Sequence, residues 1–326
     1  MRAFITGAAG FAGSHLADYL LARTDWEIYA FVWEKESTEN LPTHVRLHLV
    51  YGDICRADSV ATAVRTAQPD YVFHLAAIAS VPAAWSDPTQ TIVTNISGQI
   101  NLLQAILNAG LSPRILIVGS ADEYGLVEPR DLPVREETPF RPNNPYAVSK
   151  ITQDMLGYQY FLSYGLPIVR VRPFNHIGPR QRESFVVAAF AKQIAEAEVG
   201  LQPPVIRVGN LEPQRDFSDV RDIVRGYYLA ITQGEPGEVY NMASERAVAI
   251  RQILEDLLKL SRVPLQVEAD PTRLRPSDTP VLVGDARKFR ERTGWHIEIP
   301  LSQSLRDIMT YWRGRVTTRA KQVNEA

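Results

Sequence analysis

A tyrosine and a lysine four positions apart stand in the run Asn144-Pro145-Tyr146-Ala147-Val148-Ser149-Lys150. Proline at the start of a helical pattern puts both side chains on one face, where they can converge. A phenol with a pKa of about 10 is a poor base at neutral pH, but an adjacent ammonium favours the phenolate and makes proton exchange with a hydroxyl or carbonyl feasible. Such an exchange is the acid–base half of a hydride transfer. Taken alone, this spacing ordinarily marks an exposed helical pair. Upstream, Val118-Gly119-Ser120 ends an apolar run with a hydroxyl that can hydrogen-bond the reacting oxygen.

A hydride needs a carrier, and the first apolar run is followed at once by Gly7-Ala8-Ala9-Gly10-Phe11-Ala12-Gly13. Glycines at this spacing let the backbone turn tightly, bring a pyrophosphate close to main-chain N–H groups and aim the positive end of a helix at it. A plain strand-to-helix turn is the bland alternative. The position at the first strand–helix junction predicts dinucleotide binding. Cofactor choice stays open between NAD and NADP. In Val32-Trp33-Glu34-Lys35, Glu34 suits a ribose and Lys35 a phosphate, and Trp33 either stacks on adenine or caps the sheet. Asp53 can accept from the adenine amino group or serve as a helix N-cap. His74 lies within an apolar run and reads as a satisfied core histidine, and Cys55 as a small packing residue.

These residues need a scaffold. Apolar, β-rich runs at 3–6, 28–33, 46–50, 71–75, 114–118 and 168–171 alternate with segments of helical period, such as Ala12, Leu16, Tyr19, Leu20 and Val60, Ala63, Val64, Ala67. Continuous apolar strands alternating with helices predict a doubly wound, Rossmann-like parallel sheet of the α/β class, with its ligand beyond the strands' C-terminal ends. After about 174 the alternation fails and Pro and Arg become frequent. A smaller, mixed α/β lobe is expected there, with helices near 184–197, 220–232 and 250–260. The expected division is a dinucleotide domain over 1–174 with a return segment near 215–242, a lobe from 175–214 and 243–316, and a polar, frayed tail at 317–326.

Composition excludes several classes. Lys plus Arg number 35 against 37 Asp plus Glu, so nothing selects nucleic acid or an anionic membrane as a partner. The single cysteine cannot form an internal disulfide, and no Cys/His spacing suggests a metal. No apolar stretch reaches the length of a membrane span. A soluble, cytoplasmic protein is expected.

Over nearly its whole length the chain resembles the extended short-chain dehydrogenase/reductase family, through Thr6-Gly7-x-x-Gly10-x-x-Gly13, Gly52-Asp53-Ile54, His74-Leu75-Ala76-Ala77, Tyr146-x-x-x-Lys150 and Arg172-Pro173-Phe174-Asn175. The resemblance implies that Gly7, Gly10, Phe11, Gly13, Trp33, Asp53, Ile54, Leu75, Ala76, Ala77, Tyr146 and Lys150 hold NAD(P). It also implies a nucleotide sugar between two lobes and a homodimer built on a shared helix pair. Asn175-His176-Ile177-Gly178-Pro179, Arg215-Asp216-Phe217 and Leu274-Arg275-Pro276-Ser277-Asp278 look like the branch that handles GDP-mannose derivatives. For that branch Asn175, Arg215 and Arg275 would meet the diphosphate and Asp278 the nucleotide ribose.

Two chemistries share the branch. A 4,6-dehydratase carries Thr-Ser-Glu-x-Tyr-Gly with Thr and Glu catalytic, whereas this chain reads Ser120-Ala121-Asp122-Glu123-Tyr124-Gly125. Asp122 then stands for the glutamate, one methylene shorter, and a displacement of about 1 Å costs on the order of a hundredfold. The sequence therefore favours reduction of a GDP-4-keto-6-deoxy sugar by Ser120, Tyr146 and Lys150, with Asp122 alongside. Elimination is the alternative, and a shifted turn could present Glu123 instead. An epimerase or dehydrogenase for another nucleotide sugar, and a regulator that binds a dinucleotide without turnover, are further alternatives.

Overall fold

The computed structural model describes residues 1–274 and 279–324. The six expected apolar runs form β1 (Arg2–Thr6), β2 (Glu27–Val32), β3 (Leu47–Tyr51), β4 (Tyr71–His74), β5 (Arg114–Val118) and β6 (Ile168–Pro173). Shorter strands follow: β7 (Asn175–Ile177), β8 (Val205–Val208), β9 (Gln214–Asp219), β10 (Val239–Met242), β11 (Ala247–Ala249), β12 (Gln266–Ala269) and β13 (Val281–Leu282). A seven-stranded sheet has the order β10-β6-β5-β4-β1-β2-β3, and every pairing in it is parallel. The seventh strand, β10, is an addition to the six expected. Four residues are too short for a periodicity to register, and helix Val220–Gln233 carries the chain back to pair it with β6.

Chain order reverses between β1 and β4, which opens a crevice at their C-terminal ends. Both faces of the sheet are covered. Helices Phe11–Arg23 and Val220–Gln233 bury Leu16, Leu20, Ile223 and Tyr227 on one side. Helices Ala57–Ala67, Gly98–Asn108 and Pro145–Tyr164 bury Val60, Val64, Leu102, Ile106 and Tyr160 on the other. Burial on both faces is why these strands are apolar throughout rather than alternating.

The lobe has its own core. In it β9 pairs with β7 and β13 in parallel and with β11 antiparallel, while β8 pairs with β12. Helices Val186–Glu198, Ile250–Leu258 and Leu301–Asn324 close over Phe190, Ile194, Ile253, Leu257, Ile308 and Trp312. The last helix runs past 317, where polar composition predicts a frayed tail. Leu305, Ile308, Met309, Trp312 and Val316 lay a buried stripe along it that anchors the preceding turns. Among the described residues no helix is long and apolar enough to cross a membrane.

Candidate active site

A cleft of about 1700 Å³ runs between the C-terminal edge of the large sheet and the lobe. Its floor is the glycine turn. Gly7 has φ +68°, and a Cβ there would stand 2.9 Å from Ala76 N; a Cβ on Gly13 would stand 2.2 Å from Gly7 O. Backbone of β1, of the segment after β4 and of the first helix thus approach more closely than side chains permit. Helix Phe11–Arg23 starts at Gly10 with no side-chain cap, and Gly10, Phe11, Ala12 and Gly13 line the cleft. Uncapped N–H groups at the positive end of a helix suit a pyrophosphate.

At one end of the cleft stand Trp33, half exposed, with Lys35 Nζ 5.5 Å from its ring centroid. Lys35 lines the cleft and Glu34 is not part of its wall. Asp53 and Ile54 line it too, but Asp53 is no helix N-cap: Arg56 occupies that position, and Asp53 Oδ1 instead accepts from Cys55 N at 2.8 Å. Its second carboxylate oxygen is available to an adenine amino group. Burial pushes the Cys55 thiol up, leaving it a packing residue.

At the other end, Ser120, Tyr146 and Lys150 come together on the cleft wall with Asp122 beside them. Asn144 caps helix Pro145–Tyr164 by accepting from Ala147 N at 2.9 Å, and the helix presents Tyr146 and Lys150 one turn apart. Ser120 Oγ accepts from Asp122 N at 3.1 Å, which aims the hydroxyl hydrogen away from its own turn. Lys150 Nζ donates to Val118 O at 2.8 Å and to Gln153 Oε1 at 2.9 Å. The electrostatics differ from the sequence expectation. Burial pushes the Tyr146 phenol up, reinforced by Asp122 and only partly offset by a hydrogen bond with Ser120. Burial also lowers Lys150 to about 8. Desolvation is the largest cause of both shifts, so Tyr146 is protonated at neutral pH and suited to give a proton rather than take one.

Glu123 does not offer itself to the cleft. It is fully buried, its Oε1 accepts from Ser120 N at 2.8 Å, and its Oε2 lies 3.1 Å from Arg172 Nε. Arg172 Nε also donates to Asp154 Oδ2 at 2.8 Å, and Arg170 completes the buried cluster from β6. Desolvation first, and Asp154 second, raise the Glu123 carboxyl. A buried cluster of this kind costs about 3–5 kcal/mol when one partner is removed. Glu123 therefore fixes the Ser120 turn from behind. The Ser120-x-x-Glu123 capping box is the local pattern that marks this contact, whereas the partners that bury Glu123 come from another helix and another strand.

His74 is a core histidine, as its apolar surroundings predict: Nδ1 lies 2.9 Å from Thr6 Oγ1, and burial lowers its pKa to about 3. Leu75, Ala76 and Ala77 follow it along the cleft. Across the cleft, Asn175 is exposed at the start of β7, and Arg215 on β9 donates to Thr279 O at 2.6 Å while lining the cavity. Arg275 and Asp278 lie outside the described residues. Sequence reasoning missed Arg207 on β8 and Arg273 in the turn Pro271–Arg273, both on the cleft wall. Their exposure and sign were the available signal, but surface arginines are too common to single out.

A doubly wound sheet with a glycine floor, a Ser-Tyr-Lys corner and a second lobe across the cleft defines an extended short-chain dehydrogenase/reductase. Within that class the chain belongs to the family described as GDP-mannose 4,6 dehydratase, which matches residues 4–308. It is 39% identical to the GDP-6-deoxy-D-mannose reductase of Pseudomonas aeruginosa over 97% of this chain and 98% of that protein. It is 28% identical to the GDP-mannose 4,6-dehydratase of Yersinia enterocolitica over 93% of this chain and 91% of that one. Among solved structures, RMD from Pseudomonas aeruginosa complexed with NADPH superposes with a TM-score of 0.84 at 36% identity, covering 97% of this chain and all of that one (100%).

Proposed function

We propose that the protein reduces the C4 carbonyl of GDP-4-keto-6-deoxy-D-mannose with NADPH or NADH. The carrying observation is the Ser120 turn. Of its two carboxylates, Asp122 is one methylene shorter than the dehydratase glutamate, and Glu123 is sealed in the core, so a base–acid pair for elimination is poorly supplied. Reduction needs less. A protonated Tyr146 gives its proton to the carbonyl oxygen as charge develops there, and Ser120 hydrogen-bonds the same oxygen. Lys150, whose ammonium is held by Val118 O and Gln153, stabilises the phenolate left behind. The higher identity to a reductase than to a dehydratase supports the same reading.

The dinucleotide, when bound, supplies the hydride. Gly7, Gly10, Phe11 and Gly13 would hold its pyrophosphate, Trp33, Asp53 and Ile54 its adenosine, and Leu75, Ala76, Ala77, Tyr146 and Lys150 its other half. Lys35 on the cleft wall favours the 2′-phosphate of NADPH. In this reading 1–174 and the return segment near 215–242 form the dinucleotide half. The lobe holds the GDP-sugar, with Asn175, Arg215, Arg275 and Asp278 at the nucleotide. Val148, Met155 and Leu162 expose an apolar stripe along helix Pro145–Tyr164, which supports a homodimer. A cytoplasmic location is part of the reading, supported by a single cysteine that suits a reducing compartment.

Mass spectrometry after two incubations tests the function. Oxidation of NADPH with GDP-4-keto-6-deoxy-D-mannose and a gain of two hydrogens in the sugar is expected. Loss of water from GDP-mannose, without turnover of the keto sugar, would replace reductase by dehydratase.

A further inference from the structure

Lys150 is tied to the cofactor floor through one side chain that belongs to neither the glycine motif nor the Tyr-Lys motif. Gln153 is buried, and both ends of its amide are engaged. An ammonium only donates, so the atom 2.9 Å from Lys150 Nζ is the amide oxygen. The amide nitrogen then points at His74 Nε2, 3.3 Å away. That nitrogen also only donates, which leaves Nε2 of His74 as acceptor and puts the ring hydrogen on Nδ1, toward Thr6 Oγ1 at 2.9 Å. Thr6 Oγ1 in turn accepts from Ala76 N at 3.1 Å, while Leu75 N is shared between it at 3.2 Å and the Thr6 carbonyl at 3.3 Å; this is the segment against which Gly7 packs. Gln99 Nε2 holds the backbone of Gln153 by donating to its carbonyl at 2.7 Å. The charge on Lys150 thus sets the hydrogens of Gln153 and, through them, of His74.

We propose that Gln153 is a positioning residue: its amide holds the Lys150 ammonium, selects one tautomer of His74, and so joins the proton-donating pair to the turn that carries Gly7. The inference rests on the reading of Tyr146 and Lys150 as that pair. The titratable groups around them are Asp122 and Glu123 in the turn after β5, His74 at the end of β4, Asp154 on the same helix and Tyr227 on helix Val220–Gln233. Of these, Glu123 favours the charged lysine and burial opposes it, so the neutral acceptor on Gln153 helps keep the ammonium charged.

Two measurements on the full-length protein decide the matter. In nitrogen-15 spectra of histidine-labelled protein, His74 is expected neutral with its hydrogen on Nδ1; a hydrogen on Nε2 overturns the proposal. In the pH profile of kcat for the keto sugar with NADPH, Gln153→Met should move the alkaline limb down by about one pH unit, the worth of one hydrogen bond to a charged group. Gln153→Glu should move it up. Sugar KM should stay close to the parent value in both. Limbs that coincide with the parent in both variants overturn the proposal. Gln153→Glu keeps size and acceptor, so it carries this arm if Gln153→Met does not fold. A parent that turns over no GDP-sugar refutes the functional reading, while the histidine spectrum still decides this one.

Discussion

The two walls of the cleft handle charge in opposite ways. On the sheet wall, Ser120 follows β5 and Tyr146 and Lys150 ride the first turns of one helix, with His74 buried in the core at the end of β4; Lys150 is only 4% exposed. On the lobe wall, Arg182, Arg207, Arg215 and Arg273 come from separate segments, and the side chain of Arg182 is 72% exposed while it pairs with Glu36. Burial makes ionisation costly, and Lys150 on the first wall is held in one geometry by Val118 O and Gln153 Oε1. Exposed cations cost the fold little and contribute little to it, and their charge suits an anionic ligand. In the proposed reading, chemistry is built into the sheet and recognition is carried by the lobe.

That contrast can be broken at four places, in decreasing order of expected effect. Tyr146→Phe removes the proton donor and should lower kcat by about a thousandfold, far more than it weakens NADPH binding; a loss below tenfold would mean the sheet wall does not hold the chemistry. Gly13→Ala sets a Cβ 2.2 Å from Gly7 O and 2.8 Å from Ala8 Cα. Titration calorimetry should find cofactor affinity down by about a hundredfold, since overpacking the turn costs roughly 1–3 kcal/mol.

The third concerns stability. His74 has a folded pKa of about 3 against 6.5 in the open chain. Between those values the unfolded chain binds a proton that the folded one refuses, so stability is full above 6.5 and falls as pH drops through this window. The loss at pH 5 amounts to about 2 kcal/mol. Denaturant titrations at pH 7 and 5 should show it, and His74→Gln, which titrates nothing, should lack that share. The smallest effect belongs to the lobe wall. Arg215→Ala should weaken GDP binding about tenfold while NADPH affinity holds. An equal loss of both ligands would erase the distinction between the walls.

Which wall could be read from sequence follows from the same physics. Gly7, Gly10, Gly13, Tyr146 and Lys150 sit within single turns at fixed spacings, so their geometry is encoded locally. Six of the seven central strands announce themselves by unbroken apolar runs. Glu123, Gln153 and Arg172 each have contacts on distant elements that the sequence does not show, and Glu123 beside Asp122 reads as an equal candidate until the turn buries it. The pKa order of Tyr146 and Lys150 went the same way: spacing reveals their proximity and conceals their burial. On the lobe, Arg207 and Arg273 carry no periodic or motif signature at all.

The strand that completes the large sheet, β10, is made only after the first strands of the lobe, so the two halves are threaded through each other. Cutting the chain after residue 174 would expose β6 as a bare sheet edge, open to pairing with other chains. On the proposed reading, the cofactor half is therefore no detachable cassette, and a change of substrate falls to the lobe where it stands, inside a chain that carries both halves together.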